Sequence, residues 1–372
     1  MPENTALWLK AKHGAFIVAP ADMPEAGAGE IVVRVHAVAV NPMDHLVQNV
    51  GGLITPWIKY PFVAGSDVAG EVVAIGIGVA RFKVGDRVVG YAAGADKGHR
   101  TAEGGFQTYA VLLAYMASPL PGSLSYEAAS VLPMGLGTAA SGLFERDCLA
   151  LQRPSQSRQA TGRTLLIWGG STSVGSNAIQ LAVAAGYDVI ATASPRNFDY
   201  VKRLGARLAF DYRSKSVVAD IGKALQGRQI AGALAIGVGS ASKCMDIVGA
   251  CQGNRFVAMT TPPATFERVP IGRGRLSRLV PTIARVVVGN ISLTLKARRR
   301  GIKTKFIWGS ALLNSDVGSM IYESFLPAAL AEGTFVAAPS PEVVGHGLDA
   351  IPVALDRQRE GVSARKLVVT LG

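Results

Sequence analysis

The length and composition of the chain favour a two-domain globular protein. With 372 residues, of which 49% are hydrophobic and 17% charged, it is long enough for two full hydrophobic cores, and disordered, collagen-like and coiled-coil proteins are excluded. Its three cysteines form no dense even set and no C-x-x-C pair, which argues against a secreted disulfide-rich protein. The N-terminal segment lacks the apolar core of a signal peptide, and no uncharged apolar run reaches about 18 residues. These features predict a cytoplasmic protein without a transmembrane segment.

The positive charge is concentrated in one segment. Residues 262–305 contain eleven Lys and Arg and one acid, Glu267, so they carry +10 of the total net charge of +12. Because the rest of the chain carries only +2, the charge does not indicate nucleic-acid binding, and we expect no nucleic-acid partner. Arg298–Arg300 is either a solvated run or a contact for an acidic partner, a phosphate-bearing substrate or a membrane. Apolar residues at near-helical spacing between Leu279 and Ile291 predict a helix, either an amphipathic lid or surface helix or a core helix.

The first third of the chain predicts a β-rich domain. Alternating polar and apolar residues predict strands at 30–40, 67–75 and 86–91. Glycines recur between these strands at short spacing, which is typical of the turns of a small β-barrel. At the other end of the chain, helices at 322–332 and 348–359 and a closing strand at 366–371 are predicted.

From about residue 138 the pattern changes to alternating strands and helices. The predicted strands are 164–168, 187–193, 207–210, 231–238 and 255–259, and the predicted helices between the first three are 176–185 and 198–204. Strands that alternate with helices at this interval build βαβ units and a parallel sheet. The middle of the chain therefore predicts an α/β domain.

A glycine-rich turn follows the first strand of this series. Gly170 and Gly175 stand at the first and third glycine positions of G-x-G-x-x-G, and Thr172 stands at the second. A dinucleotide pyrophosphate binds backbone N–H groups at a helix N-terminus, where no Cβ blocks its approach. The predicted cofactor-binding residues of the turn are Gly170, Ser171, Thr172, Ser173, Val174 and Gly175. The alternative is a turn in which Ser171 and Thr172 merely cap a helix.

The residues after the second strand indicate which dinucleotide is bound. An NAD site places Asp or Glu about 20 residues after the glycines, where it bonds the ribose 2′-OH. Residues 190–197 contain no acid. Ser194, Arg196 and Asn197 suit a 2′-phosphate instead, because Arg forms charge-assisted hydrogen bonds with phosphate oxygens, and Tyr212 with Arg213 would line the adenine. NADPH is therefore the predicted cofactor, although each residue taken alone is typical of an ordinary surface loop.

Motifs along nearly the whole chain resemble the zinc-independent medium-chain dehydrogenase/reductases. The matching segments are Asn41–Asp44, Gly65–Gly90, Gly104–Leu112, Ala128–Phe144, the turn Gly169–Gly175 and Phe210–Arg213. GGST followed by SPRNFDY is particularly similar to fungal quinone oxidoreductase-like relatives, including the trans-acting enoyl reductases and the zinc-type alcohol dehydrogenase-like proteins.

The resemblance implies an α/β fold with two domains. A GroES-like β-barrel catalytic domain would comprise residues 1–137 and 312–372. A Rossmann domain with a doubly wound parallel sheet would bind NADPH with residues 138–311, which include the basic insertion 262–305. The resemblance also implies an active site in the cleft between these domains.

The sequence departs from the zinc-containing relatives at the metal site. Those relatives have a His-Glu pair in place of Ser66 and Asp67, a Cys near Asn41 and a four-cysteine structural lobe, all of which are missing here. We therefore expect no metal. Enoyl reductases of this group commonly have a Lys shortly after the Asn-Pro-x-Asp turn, whereas this chain has His45. A cationic contact to the nicotinamide ribose or the substrate is then lost or supplied by His45.

The catalytic residues are inferred from the resemblance and from the needs of a metal-free reduction. By resemblance, Thr138 lies beside the nicotinamide and the substrate, and Asn41, Asp44 and His45 lie at the floor of the site. Hydrogen-bond donors must stabilise the developing enolate, and a proton must come from a side chain or water. His45 suits the donor role because its ordinary pKa is about 6.5. The alternatives are that His45 is structural, that Asp44 only orients and that Asn41 only shapes the turn.

Further segments match regions near the substrate and cofactor in the family. Met134, Phe306 and Trp308 are predicted to contact the substrate and Lys366 the cofactor, although Trp308 is equally compatible with a core position.

The first hypothesis is an NADPH-dependent reductase of an activated C=C bond in an enone or enoyl thioester. The second is an NADPH-dependent quinone reductase. The third, from a different class, is a non-catalytic NADPH-binding protein that docks a partner through its basic insertion. The chain is expected to be a monomer or a homodimer.

Overall fold

The computed structural model describes residues 3–155 and 157–372. Its strands are β1 Asn4–Leu9, β2 Phe16–Ala21, β3 Glu30–Ala39, β4 Phe62–Val63, β5 Asp67–Ile75, β6 Arg87–Tyr91, β7 Tyr109–Leu113, β8 Ala117–Pro119, β9 Arg163–Trp168, β10 Asp188–Ala193, β11 Leu208–Asp211, β12 Gln229–Ala235, β13 Gln252–Gly253, β14 Phe256–Met259, β15 Lys303–Phe306, β16 Ser340–His346 and β17 Arg365–Thr370. Its helices are α1 Pro42–Ile54, α2 Tyr126–Ser130, α3 Pro133–Phe144, α4 Ser173–Ala184, α5 Phe198–Arg203, α6 Val217–Ala224, α7 Ser240–Gly249, α8 Arg275–Arg299, α9 Asp316–Ser319, α10 Leu326–Ala331 and α11 Ile351–Glu360.

The chain divides into two compact units. Unit 1 consists of Met1–Met134, Phe266–Arg278 and Gly318–Gly372, and unit 2 consists of Gly135–Thr265 and Leu279–Val317. Residues 266–278, which belong to the predicted basic insertion, thus group with the two ends of the chain.

Unit 1 is built on strands from both ends of the chain, which pair antiparallel except for the parallel pair β16 and β17. Its larger sheet has the order β16-β17-β3-β5-β6-β8, with β7 also paired to β3, and a smaller sheet has the order β2-β1-β4. The C-terminal strand β17 pairs antiparallel with β3, so that Val368 lies opposite Ala39. The inward side chains of these strands, such as Ile31, Val33 and Val68, are fully buried in one core, because alternate residues of a strand point to the same face. This arrangement is the one expected of a GroES-like barrel.

Unit 2 contains a parallel sheet with the strand order β11-β10-β9-β12-β14-β15. Every neighbouring pair along this order is parallel. β9 comes first along the chain but lies in the middle of the sheet, so the strand order reverses beside it. Leu165, Leu166 and Ile167 in β9 are fully buried, as is typical of a parallel strand covered on both faces. The predicted Rossmann sheet is confirmed, and such sheets bind ligands beyond the carboxyl ends of the strands where the order reverses.

The basic segment forms the long helix α8. This helix connects β14 to β15, and of its 25 described residues two, Thr282 and Ala297, are buried. Of the two alternatives for this segment, the structure therefore contains a surface helix and excludes a core helix.

Candidate functional site

The glycine-rich turn joins β9 to α4. Gly169 has a φ of +88°, a left-handed conformation that favours glycine. Thr172 is the N-cap of α4: its Oγ1 accepts a hydrogen bond from Gly175 N at 3.0 Å and donates to Gly169 O at 2.8 Å. The first N–H groups of a helix have no acceptor within the helix. At the start of α4 these are the N–H groups of Ser173 and Val174, which point out of the end of the helix. Thr172 therefore caps the helix, and the turn keeps donors suited to an anion.

The two outer glycines of the motif leave no space for a side chain. A Cβ on Gly175 would lie 2.2 Å from Gly169 O, and a Cβ on Gly170 would lie 2.9 Å from the Cβ of Ala191. The hydroxyl of Ser173 is buried at the same turn and forms no hydrogen bond within the described ranges. A tight turn, close helix packing and an unused buried donor fit a dinucleotide pyrophosphate, which the turn would hold through backbone N–H groups.

Polar and basic side chains lie at the ends of β10 and β11. Arg213 Nε donates to Tyr212 Oη at 3.1 Å, and its guanidinium lies 5.2 Å from the ring centroid. A hydrogen bond with Ser194, followed by the one from Arg213, lowers the pKa of Tyr212 below its ordinary value. Arg196 is exposed, whereas Asn197 is buried at the N-terminus of α5. This group of residues presents hydroxyl and guanidinium donors at the strand ends.

A network of buried polar side chains lies in unit 1, where α1 and β5 begin. Asp67 is fully buried, and its carboxylate accepts hydrogen bonds from Asn41 Nδ2 at 2.9 Å and from the Met134 backbone N–H at 2.6 Å. Lys366 Nζ lies 2.8 Å from Asp67 Oδ2 and donates to Asn41 Oδ1 at 2.6 Å. The ammonium is therefore held between a carboxylate and an amide oxygen. We refer to Asn41, Asp67 and Lys366 as the buried triad.

Asp44 borders the buried triad at the third position of α1. Its Oδ2 accepts the Asn41 backbone N–H at 2.7 Å and completes a capping box. Burial is the main cause that raises its pKa to about 7; the nearby Asp67 acts in the same direction, and the Asn41 N–H and Lys366 act in the opposite direction. Near neutral pH the carboxyl group of Asp44 is thus present in both protonation states.

His45, the next residue of α1, has a different environment. Both ring nitrogens are buried and form no hydrogen bond with the described part of the chain. Burial, and then the charge of Arg359, lower the pKa of His45 to about 4. At neutral pH the ring is therefore uncharged. A neutral ring does not supply the cationic contact considered for His45, and the ammonium next to Asn41 comes from Lys366.

The remaining predicted site residues are divided between the units. Met134 belongs to unit 1 and contributes its backbone N–H to Asp67. Thr138 is buried in α3 of unit 2, where Phe306 ends β15 with 42% of its surface exposed and Trp308 follows it, half-buried. The structure thus brings Asn41, Lys366 and the Met134 backbone together around one carboxylate.

Sequence reasoning missed the residue at the centre of this network. The sequence identifies Asp67 only as the residue that replaces a zinc ligand, and it predicts that Lys366 contacts the cofactor. The available signal was an acid placed at the start of a strand, at the position where relatives have Glu.

The described ranges 3–155 and 157–372 contain no cluster of three or more His, Cys, Asp or Glu side chains placed to hold a metal ion. Ser66 and Asp67 stand where the resemblance placed a His-Glu pair, and the carboxylate of Asp67 is bonded to Lys366. A positively charged side chain thus already neutralises this buried carboxylate.

Comparisons with known proteins identify the family. Residues 27–122 match the alcohol dehydrogenase GroES-like domain. The chain is 49% identical to the dehydrogenase pigH of Monascus ruber over 100% of both chains. It is 36% identical to the trans-enoyl reductase himH of Aspergillus japonicus over 99% of this chain and 97% of that protein.

The chain belongs to the medium-chain dehydrogenase/reductase superfamily. Its fold is similar to that of an alcohol dehydrogenase superfamily protein from Novosphingobium aromaticivorans, with a TM-score of 0.73 at 23% identity over 99% of this chain and 100% of the other. Medium-chain dehydrogenase/reductases are oxidoreductases that bind a nicotinamide dinucleotide, and this member is an oxidoreductase with such a cofactor. The predicted superfamily, fold class and GroES-like domain are confirmed.

Proposed function

We propose that the protein is an NADPH-dependent, zinc-independent reductase of an activated C=C bond in an enone or an enoyl thioester. The observation that carries the proposal is the buried triad, in which Asp67 fixes the ammonium of Lys366 and the amide of Asn41 as hydrogen-bonding groups. The full-length similarity to a protein named a trans-enoyl reductase supports the substrate class.

The turn at the start of α4 would hold the pyrophosphate of the cofactor. Residues 170–175 offer the backbone N–H groups of Ser173 and Val174 and the buried hydroxyl of Ser173. Ser194, Arg196, Asn197 and Tyr212 would hold the adenosine end, where a guanidinium and two hydroxyls suit a 2′-phosphate better than a diol. When bound, the dinucleotide supplies the hydride.

The residues of unit 1 are proposed to stabilise the negative charge on the substrate and to hold one another in position. Reduction of an enone leaves negative charge on the carbonyl oxygen, and fixed donors stabilise such charge most effectively in a site that excludes water. In the proposal Lys366 provides a hydrogen-bond donor, and Asp67 fixes its ammonium. Asn41 is positioned by Asp67 through its amide and by Asp44 through its backbone N–H. The hydroxyl of Thr138, in unit 2, is proposed to donate to the substrate carbonyl.

The proton required at the end of the reaction comes from a group that is protonated near pH 7. Asp44 meets this condition because its pKa is raised to about 7. His45 does not meet it, since its pKa is lowered to about 4. We therefore propose water or Asp44 as the proton source and a structural role for His45. Met134, Phe306 and Trp308 are proposed as substrate contacts, because exposed or half-buried apolar side chains suit an unsaturated carbon chain.

The test is NADPH consumption by the purified protein with four substrate classes: an enone, an enoyl thioester, a quinone and a simple aldehyde. The proposal predicts reduction of the enone or the enoyl thioester, with the product saturated at the C=C bond and the carbonyl retained. Reduction of the quinone alone would identify a quinone reductase instead. Binding of NADPH without turnover of any substrate would favour a non-catalytic NADPH-binding protein.

A further inference from the structure

Helix α8 directs an apolar surface towards solvent. Six of its large apolar side chains are exposed, among them Val280 at 60% and Val288 at 66%. On a helix with 100° per residue these six positions fall within about 120° of one another. We call them the apolar strip, which consists of Leu276, Val280, Val287, Val288, Ile291 and Leu295. The opposite face contains the two buried residues, Thr282 and Ala297, and half-buried apolar side chains such as Leu293, which packs on the core of unit 2. The apolar strip is therefore a second apolar face, and the protein does not cover it.

Five of the basic side chains in α8 and directly after it fall into two groups. Lys296 and Arg300 form ion pairs with Asp246 and fasten the end of the helix to α7. Arg285, Arg298 and Arg299 are exposed, and none of them forms an ion pair with the described part of the chain. The second group therefore leaves positive charge beside the apolar strip.

The length of α8 raises the question of whether it crosses a membrane. By length and composition it is the one helix of the described residues that qualifies, and 6% of its most apolar stretch is buried. However, α8 connects β14 to β15, and these strands pair in one sheet, with Val257 opposite Thr304. A helix that crossed a bilayer would leave its two ends about 30 Å apart on opposite sides, which this pairing does not permit. A membrane can therefore meet α8 only along its side.

We propose that α8 is an in-plane anchor that binds the protein to an anionic lipid surface. The apolar strip would enter the headgroup region, and Arg285, Arg298 and Arg299 would contact lipid phosphates. Helices that expose an apolar face with Lys and Arg beside it lie in membrane interfaces, whereas monomeric soluble proteins rarely expose large contiguous apolar patches. The anionic surface is complementary to the +10 charge of residues 262–305.

A second copy of the chain is a less suitable partner for the same strip. A two-fold dimer uses the same surface on both subunits, so the two basic segments would face one another and repel. The proposal concerns the place where the enzyme works and does not depend on the proposed substrate or on NADPH.

Flotation of the full-length protein with lipid vesicles tests the proposal. Vesicles of phosphatidylcholine with phosphatidylserine are compared with vesicles of phosphatidylcholine alone, at low and high salt. We expect binding to the phosphatidylserine vesicles that weakens as salt increases. The triple variant Arg285→Gln, Arg298→Gln, Arg299→Gln should bind them about a hundredfold more weakly. Absence of binding to phosphatidylserine vesicles would overturn the proposal.

Two pairs of exposed valines provide a matched comparison. Val280→Glu with Val288→Glu changes the apolar strip, and Val84→Glu with Val353→Glu changes valines of similar exposure, 61% each, outside α8. The first variant should lose vesicle binding and the second should keep it, while both retain the dinucleotide-binding activity of the parent protein. Equal loss in both variants would contradict the proposal. A dimer in light scattering that only the first variant disrupts, without vesicle binding by the parent, would assign the strip to a second copy instead.

Discussion

The ammonium of Lys366 lies 2.8 Å from the carboxylate of Asp67, and the two side chains are 6% and 0% exposed. The two residues lie far apart in the sequence and meet where β17 and β5 both enter the sheet of unit 1. Because two charges lose much of their hydration when they are buried, such a pair persists only when further hydrogen bonds satisfy it. Asn41 and the Met134 N–H supply those bonds.

Removal of one charge of this pair should lower the free energy of unfolding far more than removal of an exposed charge. Lys366→Met leaves Asp67 buried without its cation, and we expect the free energy of unfolding to fall by about 3–5 kcal/mol. Arg34→Met removes one partner of the exposed pair with Glu71, and should cost less than about 1 kcal/mol. Urea unfolding of both variants measures the difference. Similar losses would show that the burial of the pair has no energetic consequence.

The glycine at the end of the phosphate-binding turn should tolerate no side chain. Gly175→Ala places a Cβ 2.2 Å from Gly169 O, so the turn must open, and binding of either nicotinamide dinucleotide should be lost. Gly222→Ala is the control, because Gly222 lies in α6 with no atom within 4 Å of the added Cβ. This control should leave binding unchanged and stabilise the protein slightly. Calorimetric titration with NADPH compares them, and unaltered affinity in Gly175→Ala would exclude the turn as the pyrophosphate site.

Arg196, which follows β10, should distinguish the two dinucleotides. Arg196→Ala removes a guanidinium proposed to contact the 2′-phosphate, and the KM for NADPH should increase about tenfold to a hundredfold. The KM for NADH, which lacks that phosphate, should hardly change. Arg203→Ala removes an exposed arginine from the nearby helix α5 and should change neither value. An equal change for both cofactors would show that Arg196 does not recognise the 2′-phosphate.

Asp44 should make the stability of the protein depend on pH. Its pKa is raised from 3.8 to about 7 in the folded state, so the folded protein binds a proton more tightly than the unfolded chain. The resulting stabilisation is fully present below pH 4 and is lost as the pH rises through 7, a change of about 4 kcal/mol. Asp44→Asn removes this contribution while keeping an acceptor for the Asn41 N–H.

His45 acts in the opposite direction over part of this range. Its pKa is lowered from 6.5 to about 4, so its contribution is present above pH 6.5 and is lost as the pH falls through 4. The informative quantity is therefore the difference between the parent protein and Asp44→Asn, measured by chemical unfolding from pH 4 to pH 8. The variant should gain stability relative to the parent as the pH rises. A constant difference would mean that Asp44 does not titrate in this range.

The elements that the sequence predicts well are those determined by residues close together in the chain. The predicted strand 67–75 coincides with β5, because alternation of residues reports directly on a half-buried strand. The helix predicted at 176–185 begins earlier, at Ser173, because the side chain of Thr172 caps it. α1, which contains Gly51 and Gly52, was not predicted because its composition does not favour a helix.

The features that the sequence did not reveal depend on long-range contacts. Asn41 and Lys366 are 325 positions apart, and no periodicity relates them. Similarly, the spacing of apolar residues between Leu279 and Ile291 predicted a helix without indicating which face would meet the protein. Burial of Thr282 on the inner face and exposure of Val288 on the outer face are decided by the packing of α8 on unit 2.

Initial rates of enone reduction by protein treated with a metal chelator test the central claim most directly. The rates are measured with NADPH and with NADH, before and after addition of zinc. We expect full activity with NADPH after chelation, little activity with NADH and no gain from zinc. A strong preference for NADH, or activity that chelation abolishes and zinc restores, would contradict it.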